Sequence, residues 1–150
     1  MVNYERGIEV VVGTYIIKDD NVLLFQSPKW DGKWTICGGH VEVGEKIEEA
    51  TNRELLEETG LKVKLLDTLS VREHFAHPPE FKRDAHFIFI DSVAELYSDK
   101  NVDEIIKLDG RELTNYRWFK VDDALALTDI VESCHEGLIK LKEYLTNKNC

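Results

Sequence analysis

"GGHVEVGEKIEEATNRELLEETGL", residues 38–61, sets a glycine pair directly before seven glutamates in a run of twenty-four residues. Like charges three and four residues apart repel on a helix, so this density of carboxylates needs a reason. Two readings compete: a helix that solvates its acids, or a cradle for divalent cations. From Glu45 the stretch consists of good helix formers, with no Pro or Gly before Gly60. Gly60 followed by Leu61 reads as a helix end with a left-handed residue and its apolar contact. On a helix over 45–61, at roughly 100° per residue, Glu54, Glu57 and Glu58 fall at i, i+3 and i+4 on one face. Ile47, Ala50 and Leu61 share that arc, whereas a solvated acidic face would lie opposite its apolar stripe. The three carboxylates are therefore expected to be partly buried and to face the protein. Arg53 supplies one compensating charge, and a divalent ion would supply the rest. Hard oxygen ligands without His or Cys nearby point to Mg²⁺, Mn²⁺ or Ca²⁺ rather than zinc. On residue types alone, the metal site and the solvated face both remain open.

The chain around this stretch has 150 residues, 43% hydrophobic and 32% charged, the balance of one ordinary globular domain and not of a disordered chain. No apolar run approaches the length of a membrane span. The opening "MVNYERGIEV" has no basic flank followed by an apolar segment, so no signal peptide is expected and the reading is cytoplasmic. Cys37, Cys134 and Cys150 are odd in number and widely spaced, which indicates neither a disulfide framework nor a zinc knuckle. The net charge is −10 and no basic stripe is visible, so binding of long nucleic acid is not expected. An acidic protein still takes an anionic ligand where metal ions reverse the local field.

No repeat, low-complexity tract or linker divides residues 1–150, which read as a single domain. "IEVVVGTYII" (8–17) is a strand buried on both faces, "KDDN" a turn and "VLLFQ" (22–26) a second strand. "KWTIC" (33–37) is a short strand running into the glycines. After the helix, 61–71 and 85–96 read as strands, with 72–84 a loop containing Pro78 and Pro79. Residues 116–121 give another strand, "DDALAL" opens a short helix and 129–145 is a longer amphipathic one. Strands interleaved with two helical regions predict an α+β, layered α/β/α design.

The spacing is more specific than the arc. Five residues separate Gly39 from Glu45, and seven more precede Arg53. "RELLEETGL" then gives Arg, Glu, apolar, any, Glu, Glu, any, Gly, apolar. This resembles the signature of the Nudix hydrolases, the MutT-like family, at all nine specified positions. At ordinary residue usage such a match arises by chance in roughly one in ten million chains of this length. "WTICGG" and "NYRWFKVDDA" are similar to the family's approach to the glycines and to the later strand and helix, so the likeness covers most of residues 8–130. One departure is Cys37, where members commonly have proline before the glycine pair. A thiol beside carboxylates resists ionising, which argues against a nucleophilic thiolate.

The resemblance implies the Nudix fold, an α/β/α sandwich around a mixed sheet. It also implies hydrolysis of a nucleoside diphosphate linked to another group, by attack of water within the pyrophosphate. Mg²⁺ or Mn²⁺ is the implied cofactor, held by the Gly38 carbonyl, Glu54, Glu57 and Glu58. A further ligand is Glu112, six residues before Trp118, against the alternative of a loop carboxylate in "LDGREL". The catalytic set is Glu54, Arg53 and Glu57, with Glu54 orienting or deprotonating the water and Arg53 positioning the Glu54 carboxylate; a base on a later loop is the alternative. Glu45 reads as structural, Glu42, Glu48 and Glu49 as solvent-facing, and His40 as locally bonded. Substrate contacts are expected from Lys29 and from Arg72, His74 and Arg83 in a locally basic loop, against a plain solvated surface. The substrate is a small nucleotide, first a nucleoside triphosphate, alternatively a nucleotide sugar or a dinucleotide. A prenyl-diphosphate isomerase and a non-catalytic nucleotide sensor are the competing classes. A homodimer is implied by the family, with no interface assignable from the sequence.

Overall fold

The computed structural model describes residues 1–148. Cys150 lies outside them, while Cys37 and Cys134 are buried free thiols. The strands are β1 (Ile8–Lys18), β2 (Asn21–Gln26), β3 (Trp34–Thr35), β4 (Cys37–His40), β5 (Val63–Ala76), β6 (Ala85–Leu96) and β7 (Asn115–Lys120). The helices are α1 (Ile47–Thr59), α2 (Val102–Ile105), α3 (Val121–Leu125) and α4 (Glu132–Lys148), with a 3-10 turn at Pro28–Trp30. The main path of the sheet is β3-β2-β1-β6-β5, with β4 beside β1 and β7 beside β2. β1 runs parallel to β6 and antiparallel to β2 and β4, so the sheet is mixed.

Period-two alternation along β1 and β2 explains why both read as continuous apolar runs. Tyr15 and Leu24 join Trp34, Phe119, Leu138 and Leu141 beneath α4. Ile16, Leu23 and Phe25 join Leu55, Leu61 and Val63 beneath α1. The helices thus cover opposite faces, as the α/β/α reading expects. Each fully buried Leu contributes on the order of 1.5–3 kcal/mol relative to an exposed one, so Leu55 and Leu61 anchor α1 firmly to its face.

Several boundaries differ from the sequence reading. α1 begins at Ile47, not Glu45, because Lys46 is extended and its N–H is capped by Glu49 Oε1 at 2.9 Å. That is half of a capping box, since an ammonium side chain has no acceptor for the reciprocal bond. The 33–37 strand breaks at Ile36: Trp34–Thr35 pairs with β2, and Cys37–His40, glycines included, pairs with β1. β5 runs on to Ala76, so only 77–84 forms the loop and Arg72 and His74 are strand residues. Arg72 pairs with Phe89 and His74 with Phe87 in the ladder to β6, and this pairing outweighs the polar composition of "REH".

Candidate active site

The glycine pair lies on β4 against β1, in register Gly38 with Gly13 and Gly39 with Val12. A β-carbon at Gly38 would run into the Val12 carbonyl and stand 3.2 Å from the Gly13 α-carbon. At Gly39 it would meet the carboxylate of Glu54. One glycine admits the neighbouring strand and the other admits α1's acid, so the pair brings strand and helix into direct contact.

Arg53 organises the charges at this junction. Its Nε donates to Glu45 Oε2 at 2.8 Å and its Nη2 to Glu45 Oε1 at 3.0 Å, a bidentate fork. Nη1 donates to Glu54 Oε1 at 2.8 Å, and Nη2 also donates to the His40 carbonyl at 2.9 Å. Glu57 stands 3.8 Å from Nη1. The Arg53 bonds hold the Glu45 carboxyl below its ordinary range. Glu45 therefore precedes the helix as an anchor for Arg53, in keeping with its structural reading.

Glu54 and Glu58 are partly buried. Burial raises the Glu54 pKa, opposed by Arg53. Burial pushes Glu58 up to about 7, reinforced by the charges of Glu54, Glu112 and Asp109 and opposed by a hydrogen bond from Cys37. Glu57 differs from its expected partial burial: its side chain is 60% exposed, because it lies at the outer margin of the arc. Glu112 is exposed on the loop before β7, close enough for its charge to act on Glu58. The structure thus draws Gly38, Arg53, Glu54, Glu57, Glu58 and Glu112 into one region.

Sequence reasoning missed Asp109. Its N–H donates to the Glu58 carbonyl, and its Oδ1 accepts from the N–H groups of Arg111, Glu112 and Leu113. This turn seats Glu112 beside the end of α1; the signal was the Asp-Gly dipeptide, a turn former by side-chain capping.

The proposed substrate contacts lie apart from this cluster. Lys29 sits on the turn before β3 with its ammonium 5.8 Å from the ring of exposed Trp30. Arg72 lies over Phe89 at 4.3 Å, with Nε 3.5 Å from the buried Asp91. His74 pairs with Glu80 at 2.9 Å. Arg83 spans both oxygens of buried Glu9 at 2.7 and 2.8 Å, and His40 reaches the same carboxylate at 2.9 Å. The locally basic loop is therefore largely neutralised by carboxylates, and its tie to the Arg53 cluster runs through Glu9 and His40. A concavity of about 480 Å³ lined by Leu125, Ile139, Lys142 and Glu143 lies against α4, across the sheet from α1.

Among the described residues no three His, Cys, Asp or Glu side chains form a ready-made metal cage. The donor set nevertheless fits a divalent ion of the magnesium type. Such an ion keeps several waters and takes one or two carboxylates plus substrate oxygens, rather than a complete protein cage. The two desolvated carboxylates with raised pKa values are what such a cation would neutralise. Cys37 is buried and its thiol is pushed well above its ordinary pKa by burial and by Glu58, so it is not a nucleophilic thiolate.

A protein-family model for the NUDIX domain matches residues 7–140. Diphosphoinositol polyphosphate phosphohydrolase 3-alpha of Mus musculus is 32% identical over 126 residues, 83% of this chain and 71% of that protein. NAD-capped RNA hydrolase NudC of Escherichia coli O1:K1 / APEC is 35% identical over 109 residues, 72% of this chain and 37% of that protein. The crystal structure of a MutT NUDIX hydrolase from Burkholderia pseudomallei aligns with a TM-score of 0.72 at 22% identity, covering 89% of this chain and 97% of that one, a likeness of fold. No helix among the described residues is long and apolar enough to cross a membrane. With the matched model spanning nearly all of the sheet and α1, the chain belongs to the Nudix family and is a Nudix hydrolase.

Proposed function

We propose that this hydrolase cleaves the pyrophosphate linkage of a small nucleotide, a nucleoside diphosphate joined to a further group, with nucleoside triphosphates first among the candidates. The observation that carries the reading is the Glu54 carboxylate, seated against Gly39 and held by Arg53 at 2.8 Å. The cation, Mg²⁺ or Mn²⁺, would be held by Glu54, Glu57, Glu58, the Gly38 carbonyl and Glu112. When bound it supplies neutralisation of the phosphate oxygens and of the charge that develops between attacking and leaving oxygens. Glu54 orients the attacking water and accepts its proton, while Arg53 fixes the carboxylate by a bond to one oxygen and leaves the other for this work. Desolvation raises the proton affinity of Glu54, the direction a general base requires.

The relatives named above widen the field to inositol pyrophosphates and NAD-capped RNA, but the charge distribution favours a smaller substrate. A densely phosphorylated inositol or a long RNA calls for a broad basic surface. Here the net charge is −10, and His74, His77 and Arg83 are each paired with a carboxylate. Arg72, partly exposed on an aromatic platform, likewise has a carboxylate beside it, Asp91 at 3.5 Å. Nucleotide sugars and dinucleotides remain the alternative substrates, and the protein is expected to act in the cytoplasm.

Release of phosphate and pyrophosphate from nucleoside triphosphates, nucleotide sugars, dinucleotides, diphosphoinositol polyphosphates and NAD-capped RNA tests the reading, with and without Mg²⁺. The expected result is Mg²⁺-dependent cleavage of a small nucleotide, lost in Glu54→Gln. Preferred cleavage of an inositol pyrophosphate or capped RNA would overturn the substrate class. Tight binding without turnover would move the assignment to a sensor.

A further inference from the structure

Glu58 occupies the last turn of α1, on a side chain with several rotatable bonds, and the charges of Glu54, Glu112 and Asp109 all act on it. Left to those repulsions, the carboxylate would swing toward water, since ordering such a side chain costs about 1.5–2 kcal/mol. One short bond restrains it. Cys37 Sγ lies 2.9 Å from Glu58 Oε2, and no other hydrogen bond to this carboxylate occurs among the described residues.

The donor is itself immobile. Cys37 is 1% exposed, pairs with Thr14 across β4 and β1, and packs within the cluster that contains Phe25 and Leu55. It directly precedes Gly38. Beside the bond from Arg53 to the His40 carbonyl, this bond therefore ties the strand that presents the Gly38 carbonyl to the helix that presents Glu54 and Glu58, and it does so at Glu58 itself. Burial keeps the thiol protonated and able to donate. Proline, which commonly precedes the glycine pair in Nudix hydrolases, offers no donor at this place.

We propose that Cys37 is a positioning residue for Glu58, its thiol fixing one carboxylate oxygen so that the other is presented to the catalytic cation. The inference rests on the metal-dependent reading above and concerns this chain's own substitution in the Nudix pattern. Partners that orient metal-binding carboxylates typically change metal affinity by one to two orders of magnitude when removed. A thiol is a weak donor, so the lower end applies.

The test is Mn²⁺ binding to the full chain by isothermal titration calorimetry without substrate, for the wild type, Glu58→Gln, Cys37→Ala and Cys37→Ser. Glu58→Gln is expected to weaken binding, and Cys37→Ala to weaken it about tenfold. Cys37→Ser, which restores a hydroxyl donor, should bind as the wild type does. Equal affinity in Cys37→Ala and wild type would overturn the positioning role. So would a serine variant as weak as the alanine variant, because the loss would then follow from thiol packing and not from donation. If Glu58→Gln binds Mn²⁺ as tightly as wild type, the metal reading of Glu58 falls, and the inference with it.

Discussion

The Glu54 carboxylate fills the space that a side chain on Gly39 would need: a β-carbon there would lie 2.5 and 2.6 Å from its two oxygens. Gly39 lacks the positive φ that would itself demand glycine. Its role is therefore spatial. Gly39→Ala should keep the strand and displace Glu54 by a fraction of an ångström to an ångström. Misplacement on that scale costs about 10²-fold in turnover. Wild-type kcat/KM in a folded Gly39→Ala protein would remove Glu54 from the reacting centre.

Arg53 does more than supply charge. It binds both oxygens of Glu45, one of Glu54 and the His40 carbonyl, all between 2.8 and 3.0 Å. A lysine carries the same charge as a single flexible point donor and cannot reproduce that fork. Arg53→Lys is expected to lose about 10- to 100-fold in turnover. Retention of full activity would show that charge alone is required.

What the sequence made legible follows from how local the determinants are. Gly39, Glu45, Arg53 and the three glutamates lie within one short segment, so their spacing along the chain, and that of the three glutamates on α1, could be read directly. The alternation of Tyr15 and Ile16 between faces was legible for the same reason. The end of β5 was not, because Arg72 and His74 take their conformation from ladder partners on β6 across the 77–84 loop. Nor were the Arg83–Glu9 pair, 74 residues apart, and the Cys37–Glu58 bond, which exist only once β4, β1 and α1 are packed. Asp109 fell between these cases: its turn was visible, but its docking on α1 was not.

Glu57 tests the metal set with little structural interference. Its side chain is 60% exposed and its nearest cation, Arg53, is 3.8 Å away. Such a pair contributes little to folding. Glu57→Gln should therefore melt as wild type does while turnover falls about 10²-fold, the scale of losing one preorganised electrostatic contact. Near-normal turnover would take Glu57 out of the metal set.

Glu58 links the site to pH. Its pKa in the folded chain is pushed up to about 7 from an ordinary 4.5, chiefly by burial. Between those values the folded chain retains a proton that the unfolded chain has released. Stability therefore falls as pH rises through this window, and the cost is complete above it. Glu58→Gln abolishes the ionisation and keeps an acceptor for Cys37. In EDTA at pH 8 it should be more stable than wild type by on the order of 1–2 kcal/mol after solvent screening, a few degrees in Tm. That advantage should vanish below about pH 3.5, where both states of the wild type carry the proton. Metal binding requires the ionised carboxylate, so Mg²⁺ should raise the wild-type Tm more at pH 8 than at pH 5.5. Melting curves of the two proteins across this range decide the matter. A less stable Glu58→Gln at pH 8 in EDTA would mean that the ionised carboxylate is compensated within the fold, and the need for a cation at Glu58 would disappear.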